Sequence, residues 1–125
     1  MTTHMSLQMR HEFQDLSKLG EALEFPVARL WKSGDKCRSP NGDLLGGCYE
    51  ESYLALKIKP PSKSIPEAIE LIRIAFAKVP VELLPIINDP TLRKILYCTI
   101  ESGAEELRLP EIKVLFDLGI ELGFD

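Results

Sequence analysis

Residues 29–53, RLWKSGDKCRSPNGDLLGGCYEESY, constrain the fold more than any other stretch of this chain. The only tryptophan, two of the three cysteines and four of the eight glycines fall here. Glycines at 34, 42, 46 and 47, with Pro40 among them, argue against a helix, because glycine loses the most backbone freedom on ordering and proline breaks the ladder. Fixing so much loose chain is costly, so the stretch must pack tightly or bind something. Its SPNGD run is a turn signal, and Asn41-Gly42 suits the closing turn of a small hairpin. The whole of 29–53 reads as a long structured loop.

Regular elements flank it on both sides. Ser6–His11 alternates, with Leu7 and Met9 on one face and Gln8 and Arg10 on the other, the pattern of a half-buried strand. Asp15 can cap a helix carrying Leu16, Leu19 and Leu23 on one side, and Pro26 stands beyond its end. A second strand opens near Tyr53 with Leu54, Leu56 and Ile58 on one face and Tyr53, Ala55 and Lys57 on the other. Lys59-Pro60-Pro61 stops it. Ser64 and Glu67 have capping-box spacing with Pro66 in the first turn, and Ile69, Ile72, Phe76 and Val79 then form one stripe with Leu71 and Ala75 beside it. Val81 to Ile87, apolar but interrupted by Pro80 and Pro85, reads as a short helical turn or connector.

LRKILYCTI predicts a third strand with Leu92, Leu96, Cys98 and Ile100 inward, interrupted by Lys94. Glu101 to Glu106 reads as a solvated acidic loop. A last helix starts at Pro110, turns Ile112, Leu115 and Phe116 inward and ends at Gly119; Ile120, Leu122 and Phe124 predict a fourth strand. The expectation is a single α+β domain over 1–125, in β-α-β-α-β-α-β order. It would have a four-stranded sheet, about three helices packed on it and a flexible lead-in at 1–5.

Composition narrows the function classes. With 125 residues, 45% hydrophobic and 27% charged, the chain is long enough for one core and too apolar for disorder. No apolar run approaches the roughly 18 residues of a membrane span, and MTTHMSLQMRHEF lacks a secretory apolar block, so a cytoplasmic protein without a membrane partner is expected. Three cysteines, an odd number, fit a reducing compartment, with Cys98 a small core residue. The net charge of -4 argues against nucleic acid as a partner. One local exception is the basic set Arg29, Lys32, Lys36 and Arg38, which faces only Asp35. Two open sheet edges leave monomer or homodimer as the alternatives.

Trp31 between Arg29 and Lys32, followed by Gly34, Asp35 and Arg38, is the main candidate binding set. The cations and glycine amides suit an anion, and the indole suits a planar ligand or a partner's arginine. The plainer alternative has Trp31 plugging the core while Asp35 pairs with Arg29 or Arg38 to hold the loop. GDLLGG is neither a phosphate loop nor a dinucleotide turn. Cys37 and Cys48 stand ten residues apart in between and only His4 and His11 could join them, so no metal and no cofactor are expected. A nucleophilic Cys37 would find only His11 as its base. Asp35, Asp43, Glu50 and Glu51 read as solvated carboxylates; Glu101, Glu105 and Glu106 read as an acidic edge that could meet a basic protein.

The residues also carry a resemblance. SLQMRHEFQDLSKLGEALEFPVARLWKSGD, the Arg29, Trp31, Gly34 and Asp35 block with an arginine at 38, the Gly47, Tyr49, Ser52 and Tyr53 set, and LPEIKVLFDLGIELGFD resemble the bacterial domain of unknown function 4279 family. Leu54 departs from it, standing where relatives often carry tryptophan. The resemblance implies one α+β domain and a shared role for Arg29 to Tyr53, and it supplies no activity. The leading expectation is a non-catalytic bacterial binding protein. In its sharpest form it is immunity-like and engages a toxin-like protein through this region, with Tyr49 and Tyr53 beside Trp31. The alternatives are a sensor holding an anionic small molecule at Arg29, Lys32 and Arg38, and an enzyme of unknown reaction.

Overall fold

A computed structural model describes residues 3–39, 41–60, 64–100 and 107–124. It is an α+β fold built on a mixed five-stranded sheet. The strands are β1 (Thr3–His11), β2 (Val27–Trp31), β5 (Ser52–Ile58), β6 (Arg93–Ile100) and β7 (Ile120–Phe124). They run in the order β2-β5-β1-β6-β7, with β3 (Lys36–Arg38) and β4 (Leu44–Cys48) forming a separate two-stranded ribbon. All pairs in the large sheet are antiparallel except β6 with β7. The last pair is parallel because α4 (Leu109–Leu118) returns the chain between them.

Alternation in β1 fixes which face is buried. Leu7 lies opposite Leu56 on one side and Leu96 on the other, and Met5 and Met9 extend the same row. The helices cover this face. In α1 (Ser17–Leu23), Leu19 and Leu23 reach the core, and Gly20 lets the helix settle on β5: a Cβ there would stand 3.2 Å from Leu54 Cδ1. Asp15 accepts the Ser17 amide at 2.9 Å, a bond that holds its carboxyl below the ordinary range. In α2 (Ile65–Ala77), Ile65, Ala68, Ile69 and Ile72 are buried, and Ser64 Oγ accepts the Glu67 amide as the capping spacing predicts. The connector is a 3₁₀ turn (Val81–Leu83) running into the short helix α3 (Leu84–Ile87).

Among the described residues, no helix lies on the sheet's second face. The buried apolar side chains of the helices belong to one cluster with Met5, Leu7, Met9, Leu54, Leu56 and their row, whereas Tyr53, Ala55 and Ile95 point the other way and lie outside that cluster. Side chains alone shield them. Gly123 in β7 makes this possible: a Cβ there would come within 2.8 Å of the Tyr97 ring. Gly123→Ala is therefore expected to displace Tyr97 and cost about 1–3 kcal/mol, read as a lower melting temperature.

Several expectations need correction. The sheet has five strands rather than four, a second sheet exists, and there are four helices among the described residues. The extra strands come from 29–53, which is strand and ribbon instead of loop. Thr3–Met5 belong to β1, so the lead-in is shorter than 1–5 and His4 is a strand residue opposite Thr99. In α4 only Leu115 is fully inward; Ile112 is exposed and Phe116 is 82% exposed. Lys94 stays on the core face, its stem buried and its Nζ donating to the Ile87 carbonyl at 2.7 Å at the end of α3. Burial lowers the pKa of that amine. Residues 101–106, with the acidic loop, and the side chain of Ile100 lie outside the described residues.

Candidate functional site

The 29–53 segment is a long antiparallel ribbon that peels away from the sheet. Its base is the β2–β5 pair, with Trp31 opposite Tyr53 and a bulge between Val27 and Arg29. Its outer part is the β3–β4 pair. The two parts join where the Gly34 amide donates to the Tyr49 carbonyl and the Tyr49 amide donates to the Asp35 carbonyl, each at 2.9 Å. The buried Ser52 Oγ accepts the Ser33 amide at 2.9 Å and closes the junction from the sheet side. At the tip, Ser39 and Asp43 pair through the backbone around Asn41-Gly42, so the expected hairpin turn is present.

Two residues of the sequence block shape the bend. Gly34 has φ +92°, a region that L side chains rarely adopt. Asp35 Oδ2 accepts the Lys32 amide at 2.8 Å, closing a side-chain turn. This replaces the expected ion pair: Asp35 works on backbone, and the Arg38 guanidinium donates to the Gly42 carbonyl at 3.0 Å within the hairpin. Arg29 lies exposed on β2, beside Tyr53.

The ribbon holds Trp31 away from the core, which overturns the core-plug reading. The indole stacks on Tyr49 at 4.1 Å between centroids with 9° between planes, and on Tyr53 at 4.6 Å and 33°. Arg10 of β1 lies over Tyr53, 4.6 Å from its centroid, and Arg10 Nη1 meets Glu51 Oε1 at 2.8 Å. The result is a continuous ladder, Tyr49–Trp31–Tyr53–Arg10, on the uncovered sheet face. Burial raises the Tyr53 pKa, against the pull of Arg10 and Arg29. Trp31 Nε1 is shielded from solvent and has no acceptor among the described residues.

Two grooves border the ladder. The larger, about 920 Å³, is lined by Trp31, Tyr49 and Phe13, with Arg10, Glu12, Glu50 and Glu51 supplying its charge and Cys37 and Cys48 completing it. The smaller, about 380 Å³, has Leu30, Asp35, Lys36 and Arg38 around the same Trp31 and Tyr49. Arg38 thus shares a groove with Lys36, and neither Arg29 nor Lys32 lines it. Sequence reading missed Arg10, Glu12 and Phe13. The usable signal was the β1 alternation, which puts Arg10 on the face opposite Leu7; only the pairing register sets it against Tyr53.

His11 does not serve Cys37. Its Nδ1 accepts the amides of Phe13 (3.2 Å) and Gln14 (3.0 Å). Amides only donate, so the proton sits on Nε2, which meets Asp89 Oδ2 at 2.9 Å and Thr91 Oγ1 at 3.1 Å. Both ring nitrogens are committed: Nδ1 holds the turn that follows β1, and Nε2 joins the end of β1 to the α3–β6 turn. The Thr91 amide and hydroxyl, then His11, hold the Asp89 pKa down at about 2.

Among the described residues, no three His, Cys, Asp or Glu side chains are placed to hold a metal ion, and no helix is long and apolar enough to cross a membrane. Comparisons with protein-family models, curated proteins and solved structures give no match to this chain.

Proposed function

We propose that this chain is a non-catalytic binding protein that engages a protein partner through the aromatic ladder and the ribbon beside it. The observation that carries the reading is the placement of Trp31: the sole indole is stacked on two rings, yet it stands on the sheet face that no helix covers. Aromatic anchors already held in position lose little side-chain freedom on binding, and tryptophan and tyrosine are enriched among residues that dominate interface energy. Packing alone does not account for the indole. A phenylalanine would fill the stack without an N–H that lacks an acceptor, an omission worth about 1–3 kcal/mol.

Membership of the domain of unknown function 4279 family is part of the proposal. The block it rests on is the one that builds the surface, with Trp31 in the ladder, Gly34 at the bend and Asp35 closing the turn. An immunity-like inhibitor of a toxin-like protein is its sharpest form, supported by the net charge of -4. Affinity capture from the native host tests it. A defined protein should be retained by the parent chain and lost with Trp31→Ala. Equal retention by both chains refutes the ladder as the interface.

A further inference from the structure

Resting on that reading, we infer that the larger groove receives an arginine side chain of the partner, stacked on the Tyr49–Trp31 end of the ladder and held by Glu12 and Glu50. The groove's charged lining is three carboxylates against one guanidinium, and that guanidinium, Arg10, is already paired with Glu51. Glu12 and Glu50 are exposed and have no ion-pair partner among the described residues. An anion entering here would meet uncompensated negative charge. A purely apolar group would pack on the rings but strip water from the carboxylates without offering them a hydrogen bond.

The molecule itself contains the arrangement that the inference extends. At the Tyr53 end of the ladder, Arg10 lies over the ring at 4.6 Å and a glutamate holds it from the side at 2.8 Å. At the Tyr49 end, no cation or further ring lies on Tyr49 among the described residues, while Glu50 follows it in the chain and Glu12 lines the same groove. Phe13, 68% exposed, adds a second apolar wall. A guanidinium matches this set better than an ammonium. It is planar and weakly hydrated, so it stacks on a ring while its edge donates to carboxylates in a fork. The ladder would then carry an arginine at each end, one from the chain and one from the partner.

Trp31 is the only tryptophan, so its emission reports the site directly. The full chain is titrated with acetyl-Gly-Arg-Arg-Arg-Gly-amide and with the lysine and glutamate versions of the same peptide. The arginine peptide should give a saturable change in Trp31 emission, weakened about tenfold or more by Glu12→Gln with Glu50→Gln and by raising salt from about 50 to about 500 mM. Both glutamates are exposed, so the double variant should melt with the parent. Absence of an arginine-dependent signal, equal binding of the lysine or glutamate peptide, or unchanged binding by the double variant overturns the inference. Its failure is separable from failure of the parent reading. A silent peptide, with a partner still captured by the parent and lost with Trp31→Ala, removes only the arginine assignment; retention of that partner by Trp31→Ala removes the interface itself.

Discussion

Replacing His11 by alanine is expected to remove about 3 kcal/mol of stability, a large part of what a domain of this size possesses. The residue is 2% exposed and its side chain joins two distant parts of the chain. Two backbone amides lose their acceptor at about 1 kcal/mol each, and the hydrogen bond to a charged carboxylate adds about 1.5–3 kcal/mol, partly recovered by water at the exposed Phe13 side. The edge contact between the imidazole and the Phe13 ring, 4.7 Å between centroids, goes as well. His11→Asn places an oxygen near Nδ1 and should recover the amide share, whereas His11→Gln places a donor near Nε2 and should recover the carboxylate share. Denaturant titration of the three variants separates the two. Equal losses in all three would show that volume, not hydrogen bonding, governs the site.

The partner carboxylate gives the same link a pH signature. The Asp89 pKa is lowered from 3.8 to about 2 in the folded chain, so the native state favours the ionised form. That contribution is whole above about 3.8 and disappears as pH falls through about 2. Between those limits the parent should lose stability more steeply than Asp89→Asn, measured by denaturant titration across the range.

Where patterns were local, the sequence was a good guide. Leu7 and Met9 in β1, Leu54 to Ile58 in β5, the Ser64 cap and the Gly119 helix end, with φ +69°, all stand as the spacing implied. The ribbon was illegible for a physical reason. β4 is exposed throughout, so no buried row imposes alternation, and Gly46 and Gly47 interrupt it with φ of +84° and +73°. Phe116 misled because an apolar residue at helical spacing is indistinguishable from a core residue until the neighbouring surface is known. The glycines and cations around Trp31 single it out in the sequence. The rest of its ladder, the Arg10 rung above all, depends on a register 43 residues apart in sequence, Arg10 to Tyr53, that no local pattern encodes.

Trp31→Ala carries the largest expected effect on binding. Loss of the central rung frees Tyr49 and Tyr53 together, so under the proposed function a partner would meet a disordered surface as well as a missing indole. Truncation of such an anchor costs about 2–4 kcal/mol, roughly 30-fold to 1000-fold in affinity. The fold should survive it. Trp31 lies outside the main cluster, and two lost ring contacts at about 0.5–1.5 kcal/mol each leave most of the stability in place. Phe116→Ser, on the helical side and equally aromatic, is the matched control and should bind like the parent.

Time-resolved fluorescence anisotropy of Trp31 in the free chain is the most direct test of whether this surface is built before a partner arrives. An indole clamped between two tyrosines should lose anisotropy only at the pace of whole-molecule rotation, with almost no sub-nanosecond component. A dominant fast decay, reporting an indole that swings free of Tyr49 and Tyr53, would contradict the ladder and everything assigned to it.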